Sequence, residues 1–181
     1  ENAERVRDII SASGAKIVIV TCAGCLKTLR EDYVERFNLD MPEIVHVVEY
    51  LQLQMTKLDL YEKGESLKIT WHDPCHLGRA LKIYDEPREI IRVLPGVELT
   101  EMETNREAAM CCGSGGGVRS FDGNLAKRIA ADRVKDAESA GADIIATACP
   151  FCEHNLREGA ASIGSRIRIM DIVDLIAERL E

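Results

Sequence analysis

Cysteine residues carry most of the chemistry that this sequence can support. The chain has 181 residues and seven cysteines, and the last five cysteines form the pattern C-x35-CC-x36-C-x2-C. These five are Cys75, Cys111, Cys112, Cys149 and Cys152. Thiolates that converge from three separate turns can together hold an iron–sulfur cluster. We therefore predict a metal centre built from these five side chains.

The pair Cys149 and Cys152 leaves several chemistries open when it is taken alone. The two-residue spacing lets both thiolates reach one metal, and the start of a following helix lowers thiol pKa values. A thioredoxin-like redox pair and half of a zinc site share this spacing. The adjacent cysteines, Cys111 and Cys112, favour a cluster, because two sequential ligands require a turn or more than one metal atom. A thioredoxin-like enzyme has no use for such a pair.

A run of glycines follows the adjacent cysteines. Their backbone freedom permits the turn that two sequential ligands need, and their amides can donate hydrogen bonds to sulfide. A glycine-rich anion loop with incidental cysteines is the alternative. No Lys-Ser or Lys-Thr pair follows, so the sequence argues against a nucleotide P-loop. The glycines expected to shape the pocket are Gly113, Gly115, Gly116 and Gly117.

Histidine and arginine side chains flank the cysteines. His72 and His76 enclose the segment that contains Cys75, and each can ligate metal, relay protons or pair with a carboxylate. We favour proton donation or support of the ligands over direct ligation. Arg79 and Arg119 can neutralise an anionic cluster or hold a carboxylate or sulfonate of a substrate, although arginines at the protein surface are common.

Composition narrows the classes of partner. The formal net charge is −8, from 23 basic and 31 acidic residues, which argues against nucleic acid as a partner. The sequence contains no apolar run long enough for a transmembrane segment and no secretory signal, so a cytoplasmic location is expected. An odd number of cysteines without an export signal favours metal or redox chemistry over disulfides. The first residue, Glu1, lies directly in a helical pattern, as expected for a fragment of a longer protein.

The chain contains an internal repeat. Residues 14–25 match residues 141–152 at a constant offset, and both segments end in a C-x2-C pair. The first pair, Cys22 and Cys25, lacks the upstream cysteines of the full pattern, so we expect it to ligate a second cluster in a longer protein. In this chain, the alternatives for this pair are free thiols, a disulfide formed in air, or an adventitious zinc site. The apolar run that contains His46 indicates a structural role for that histidine.

Alternating strand and helix patterns predict an α/β fold, with Rossmann-like, doubly wound parallel sheets flanked by helices. Strands are predicted at Ile17–Val20, Ile144–Ala146 and Leu67–Trp71, with helices over residues 3–13, 124–140 and 87–93 and after each C-x2-C pair to about Phe37 and Ala161. Residues 1–58 are expected to form the carboxy-terminal part of a first repeat, residues 59–181 a complete second repeat, and residues 58–66 the linker. The cysteines then share the carboxyl edge of the sheet.

Two segments resemble the cysteine-rich CCG domain of heterodisulfide reductase catalytic subunits and related iron–sulfur oxidoreductases. They are HDPCHLGR (His72–Arg79) and CCGSGGGVR (Cys111–Arg119), and the resemblance extends over nearly the whole chain. Family proteins hold two such domains in tandem, in agreement with the internal repeat.

The resemblance implies that the five cysteines bind one non-cubane [4Fe-4S] cluster that serves disulfide reduction, with zinc or a smaller cluster as a substitute in some relatives. It further implies a thiol or disulfide substrate and an anaerobic electron-transfer complex with ferredoxin-like, flavin or membrane cytochrome subunits, through which the protein would associate with a membrane. A fragment with one complete motif is expected to be inactive alone. The rival hypothesis is a zinc-binding interaction module without redox turnover.

Overall fold

The protein folds as parallel sheets flanked by helices, as the sequence predicts. The structure is a computed structural model that describes residues 1–64 and 66–180. Its strands are β1 (Ile17–Val20), β2 (Glu43–His46), β3 (Leu67–Trp71), β4 (Val97–Leu99), β5 (Ile144–Thr147) and β6 (Arg168–Asp171). Strands β1 and β2 form one parallel sheet, and the order β4-β3-β5-β6 forms the second.

Helices connect the strands, as parallel pairing requires. The α-helices are α1 (Asn2–Ala12), α2 (Ala23–Lys27), α3 (Val47–Gln54), α4 (Asp85–Val93), α5 (Val118–Phe121), α6 (Gly123–Ser139), α7 (Pro150–Ser162) and α8 (Ile172–Ala177). Segments Thr28–Arg36 and His76–Ala80 are π-helical, and Met55–Lys57 and Arg106–Ala108 are 3-10 helices. The single helix predicted after Cys25 is therefore an α-helix followed by a π-helix.

Strand β5 lies at the centre of the larger sheet. All its residues are buried between β3 and β6, which explains why its sequence is an uninterrupted apolar run with a terminal threonine. Asp122 caps the start of helix α6, where its carboxylate accepts the N–H of Leu125 at 2.9 Å. Helices α6 and α7 pack closely at Gly159, where a Cβ would lie 2.7 Å from the backbone of Ala130. This packing holds α7, whose first turn contains the second C-x2-C pair, against α6.

Strand β1 is exposed, although it matches β5 in the repeat. Ile17 and Ile19 are 43% and 44% exposed, and within the described residues β1 pairs with β2 alone. In the predicted linker, Leu60 instead bridges to Leu180 near the end of the chain. Residue 65 of that linker and residue 181 of the second predicted repeat lie outside the described residues.

One apolar core joins the two sheets. Leu26 and Val48 from the first repeat are fully buried in the same cluster as Ile69 and Ile145 from the second. The position of the first C-x2-C pair relative to the second is therefore set by packing. No helix in the described part of the chain is both long and apolar enough to cross a bilayer.

Candidate metal centre

Three strand ends deliver the cysteine motifs to one place. Cys22 follows β1, Cys75 follows β3 and Cys149 follows β5, each within a few residues of the strand end. Cys22 and Cys149 are the N-caps of α2 and α7, with similar extended backbone angles. The repeat therefore extends to the geometry of the two C-x2-C turns.

All seven thiols form a continuous series. Each thiol lies within hydrogen-bonding reach of the next. The order is Cys25, Cys22, Cys149, Cys152, Cys112, Cys111, Cys75. The five cysteines of the complete motif are contiguous in this series, and all seven are reduced. The sequence interpretation separated Cys22 from these five, but the structure places its thiol against Cys149.

Contacts between the thiols lower the pKa values of two cysteines and raise those of their neighbours. Hydrogen bonds from the Cys112 and Cys75 thiols lower the pKa of Cys111 far below its ordinary value. Hydrogen bonds from Cys152 and Cys22 lower the pKa of Cys149 in the same way. The pKa values of the four donors rise, because each donates a hydrogen bond to a neighbouring sulfur and is partly buried. The arrangement therefore favours the thiolate at Cys111 and Cys149, the form that ligates metal.

Backbone amides also point at the sulfurs. The N–H of Gly113 donates to Sγ of Cys111 at 3.3 Å, and the N–H of Ser114 interacts with Cys112. The amides of Phe151 and Cys152, in the first turn of α7, lower the pKa of the Cys149 thiol. These donors stabilise negative charge on thiolates and on the sulfide of a cluster.

Gly113 is required by both conformation and space. Its φ is +81°, and an added Cβ would lie 2.7 Å from the carbonyl oxygen of Ala126 and 2.9 Å from Cβ of Ile129. Beside it, the buried side chain of Asn155 donates from Nδ2 to the carbonyl of Cys112 at 2.6 Å and to that of Ala126 at 3.0 Å. The turn that carries the adjacent cysteines is therefore held from α6 and α7.

Buried ionic contacts hold the turn that carries Cys75. Arg88 donates to both carboxylate oxygens of Asp73, at 2.8 and 2.9 Å, and its Nε donates to Glu101 at 2.7 Å. The backbone N–H of Arg106 donates to Asp73 at 2.8 Å. Because Asp73 lies two residues before Cys75, this network fixes the direction in which the chain leaves β3.

His72 is buried against the thiols. The Nε of Arg133 donates to its Nδ1 at 3.3 Å, so Nδ1 is an acceptor and Nε2 carries the ring proton. A ring nitrogen of His72 and the sulfurs of Cys112 and Cys152 all lie within 4.8 Å of one another. The Nε2 atom has no hydrogen-bond partner within residues 1–64 and 66–180. Burial lowers the pKa of His72 to about 4, so the ring is neutral.

Of the remaining side chains predicted for the site, His76 lies at the cavity and the two arginines lie against the cysteine loops. His76 lines the cavity and approaches Gly24, where a Cβ would lie 3.3 Å from Nδ1 of His76. Arg79 instead donates to the carbonyl of Ala109 at 2.6 Å, just before the adjacent cysteines. Arg119 donates to Asn155 at 2.7 Å. In this structure the two arginines therefore support the cysteine loops through backbone and amide contacts.

A cavity of about 620 Å³ opens over the thiols, between the two repeats. Its wall includes Cys22 and Cys25 from the first repeat together with Cys75, Cys112, Cys149 and Cys152 from the second. The glycines Gly115, Gly116 and Gly117, with Ser114 and the exposed Phe151, also line it. A cavity of this volume can hold a small organic molecule beside the thiols.

His46 is the last residue of β2, a position equivalent to that of Asp171 at the end of β6. Both side chains cap the next helix: His46 Nδ1 accepts the N–H of Val48, and Asp171 accepts that of Val173. His46 is also buried beside Cys149, and burial lowers its pKa to about 4.

Asn155 and Arg133 were not identified from the sequence as part of the site. For Arg133 a signal existed, because it lies in a segment, residues 132–136, that echoes residues 4–8 of the first repeat. For Asn155 no comparable signal exists, since its role depends on carbonyls 43 and 29 residues away.

Comparison with known proteins identifies the family that this chain resembles. Residues 69–157 match the family model of the CCG cysteine-rich domain. One subunit of the dihydromethanophenazine:CoB--CoM heterodisulfide reductase of Methanosarcina acetivorans is 38% identical over 175 residues, which cover 96% of this chain and 43% of that protein. One subunit of the fumarate reductase (CoM/CoB) of Methanothermobacter marburgensis is 32% identical over 90% of this chain and 32% of its own length.

A more distant relative is the EtfAB:quinone oxidoreductase of Syntrophomonas wolfei, which is 29% identical over 93% of this chain and 24% of its own length. The chain thus spans less than half the length of each of these relatives.

Proposed function

Through residues 69–157 this chain belongs to the CCG cysteine-rich domain family, and on that basis we propose that it holds the iron–sulfur centre of a heterodisulfide-reductase-like oxidoreductase. The proposed cluster is a [4Fe-4S] centre of non-cubane type, held by Cys75, Cys111, Cys112, Cys149 and Cys152. The observation that supports it most is the contiguous series of these five thiols.

The surroundings of the thiols fit an anionic cluster. Amide donors reach Cys111, Cys112 and Cys149. The ring of His72 lies beside the sulfurs of Cys112 and Cys152, and its buried Nε2 has no hydrogen-bond partner in the described structure. The buried hydroxyl of Ser114 likewise has none. Unsatisfied buried donors are costly, so their presence around the thiols supports an acceptor such as sulfide in this place.

We propose the cavity as the site of a disulfide substrate. When bound, the cluster supplies one-electron transfer and iron that can bind sulfur. Reduction of a disulfide consumes two electrons and two protons and yields two thiols. In this proposal the cavity wall, which includes Cys22 and Cys25, holds the substrate over the cluster, and His76 supplies one of the two protons. The electrons come from a partner subunit of ferredoxin-like, flavin or cytochrome type. We propose that this chain is cytoplasmic and that any association with a membrane occurs through that partner.

The exposed edge of β1 supports the proposed division into repeats at residues 58 and 59. In the larger sheet, the matching strand β5 pairs with β3 on one side and β6 on the other. Ile17 and Ile19 are as apolar as their counterparts Ile144 and Ala146, which are fully buried. We infer that a strand of the same protein, equivalent to β3, covers this edge and brings the cysteines that complete the site of Cys22 and Cys25.

One observation favours a second candidate, a zinc-binding module. His72, Cys112 and Cys152 offer a nitrogen and two sulfurs within 4.8 Å of one another. Three such ligands with an open fourth position are a known zinc arrangement. In that case, Cys75 and Cys111 take no part in binding the metal.

Metal analysis separates the two candidates. The chain is purified without oxygen, reconstituted with iron and sulfide, and assayed for iron, zinc, acid-labile sulfide and visible absorption. The cluster proposal predicts about four iron and four sulfide per chain, lost in a Cys111→Ser, Cys112→Ser double variant and retained in the matched control Cys25→Ser. Zinc without sulfide after reconstitution, lost in His72→Leu and retained in Cys75→Ser, would establish the zinc module instead.

A further inference from the structure

The buried imidazole of His72 is held in one orientation by a hydrogen bond from a buried arginine. Its side chain is 1% exposed, and Nδ1 accepts from Nε of Arg133. Arg133 is also fully buried. Its Nη1 donates to the carbonyl and hydroxyl oxygens of Thr104 and forms an ion pair with the carboxylate of Asp136. A guanidinium cannot accept a hydrogen bond, so the Arg133 contact fixes which ring nitrogen of His72 carries the proton.

The N–H at Nε2 of His72 is a buried donor that has no hydrogen-bond partner among the described residues. A ring nitrogen of His72 and the sulfurs of Cys112 and Cys152 lie within 4.8 Å of one another, so these sulfurs, or sulfide held beside them, are the candidate acceptors. A buried donor without a partner lowers the free energy of unfolding. The metal-free chain is therefore less stable with His72 in this orientation than it would be with an acceptor at Nε2.

We propose that His72 donates a hydrogen bond from Nε2 to the sulfurs that surround the cluster at Cys112 and Cys152, and that Arg133 is the positioning residue that keeps this donor protonated. This inference rests on the proposed function. A hydrogen bond withdraws electron density from a ligating sulfur, which stabilises the reduced and more negative form of the cluster. His72 therefore raises the reduction potential.

The direction of Arg133 supports this role over direct ligation by His72. A metal-bound histidine donates its second ring N–H to a carboxylate, carbonyl or water, which raises its basicity. In this chain, the second nitrogen instead meets the cation of Arg133, which removes electron density from the ring. The pair is therefore suited to hydrogen-bond donation and unsuited to donation of a lone pair to a metal.

Three variants of the iron-loaded chain test the proposal. His72→Leu removes the donor, His72→Gln keeps an N–H donor of similar reach, and His154→Leu is the control, a histidine whose side chain is 60% exposed. Iron and sulfide content is measured first, and the midpoint potential is then measured by titration monitored by electron paramagnetic resonance. We expect wild-type iron content in all three, a more negative potential for His72→Leu, at least half of that shift recovered in His72→Gln, and no shift for the control.

A nitrogen measurement covers the case in which His72→Leu does not fold. Chain labelled with 15N-histidine is reduced, and its nitrogen couplings are measured by pulsed paramagnetic resonance beside those of His72→Gln. A weak coupling that disappears in His72→Gln supports the hydrogen bond. A strong coupling would mean direct ligation, and no coupling would mean no contact; either result overturns the proposal.

The outcomes also separate this inference from its premise. A wild-type chain that binds no iron and sulfide overturns the proposed function and this inference together. A wild-type chain that binds the cluster, with the same potential in His72→Leu, overturns the role of His72 and leaves the proposed function intact. Loss of iron in His72→Leu with retention in His72→Gln also counts against it, because the donor would then serve binding rather than potential.

Discussion

The thiol of Cys22, which follows a strand of the first repeat, lies within hydrogen-bonding reach of the thiol of Cys149, which follows the equivalent strand of the second. Both residues are N-caps of the helices that carry the two C-x2-C pairs. Cysteines of both motifs line the same cavity. A molecule in that cavity therefore meets sulfur chemistry from both repeats.

Cross-linking tests the contact between Cys22 and Cys149. In a Cys25→Ser, Cys152→Ser double variant, each of these thiols loses its partner within its own motif. We expect mild oxidation of the metal-free variant to join Cys22 to Cys149, because the two thiols are neighbours. The Cys22 thiol and the backbone amides of residues 151 and 152 still lower the pKa of Cys149 in this variant, which favours its thiolate. Peptide mass spectrometry identifies the disulfide. Recovery of both thiols unmodified, or joined to other cysteines, would show that the repeats pack differently.

Replacement of Gly113 should damage the turn of the adjacent cysteines. Gly113→Ala introduces a Cβ at a positive φ and into contact with Ala126 and Ile129, which we expect to cost about 2–4 kcal/mol in the free energy of unfolding. Gly115→Ala is the matched control, since a Cβ there meets nothing within 4 Å, and its cost should stay within about 0.5 kcal/mol. Denaturant unfolding measures both. Equal stabilities of the two variants would contradict the left-handed conformation of Gly113.

Replacement of the buried Asp73 should lower the free energy of unfolding more than replacement of the exposed Asp85. Asp73→Asn removes one of the two carboxylates that pair with the buried guanidinium of Arg88, and Glu101 remains as the other. We expect a cost of about 2–3 kcal/mol in the free energy of unfolding, as for the loss of hydrogen bonds to a buried charged group. Asp85→Asn removes an exposed pair with Arg106 and should cost less than about 1 kcal/mol. Thermal or denaturant unfolding of the two variants provides the comparison. A small effect of Asp73→Asn would mean that the network does not hold the turn before Cys75.

His46 should make the metal-free chain sensitive to acid. Burial lowers its pKa from the usual 6.5 to about 4, so the unfolded state binds the proton more readily, and stability falls as the pH falls from 6.5 to 4. His72 acts in the same direction, whereas Asp171, with a pKa raised to about 6 by burial, acts in the opposite direction. Comparison with His46→Asn, which keeps a helix-capping acceptor, isolates the contribution of His46.

The expected difference for His46 is about 3 kcal/mol less loss of stability in His46→Asn between pH 6.5 and pH 4. Denaturant unfolding at a series of pH values measures it. Parallel pH dependences in the two proteins would show that His46 is accessible to protons in the folded chain.

Local signals explain what could be predicted from the sequence. Strands β1 and β3 match their predicted bounds residue for residue, because short apolar runs between turn residues have few alternative structures. The convergence of Cys75, Cys111 and Cys149 followed from the rule that ligands gather at the carboxyl ends of parallel strands. The contact of Cys22 with Cys149 did not follow, since it depends on how two sheets pack through one core.

Long-range polar contacts were also beyond the sequence patterns. Arg133 reaches His72 across 61 residues, and Asn155 reaches Cys112 across 43. Periodicity reports which face of an element is apolar, and a buried arginine or asparagine looks in such a pattern like an ordinary surface residue. Its partners become evident only when the fold brings them together.

Alkylation of individual cysteines in the iron-loaded chain tests the central claim most directly. The chain is treated with an alkylating reagent before and after iron is removed with a chelator, and labelling of each cysteine is quantified by mass spectrometry. We predict that all five cysteines of the motif, Cys75, Cys111, Cys112, Cys149 and Cys152, are protected in the iron-loaded chain. On iron removal the accessible Cys75 and Cys111 become reactive in the folded chain, and the buried three become reactive when the iron-free chain is unfolded in denaturant, while the exposed Cys25 is labelled in both states. Protection confined to Cys112 and Cys152, with Cys75 and Cys111 labelled throughout, would contradict a five-cysteine cluster.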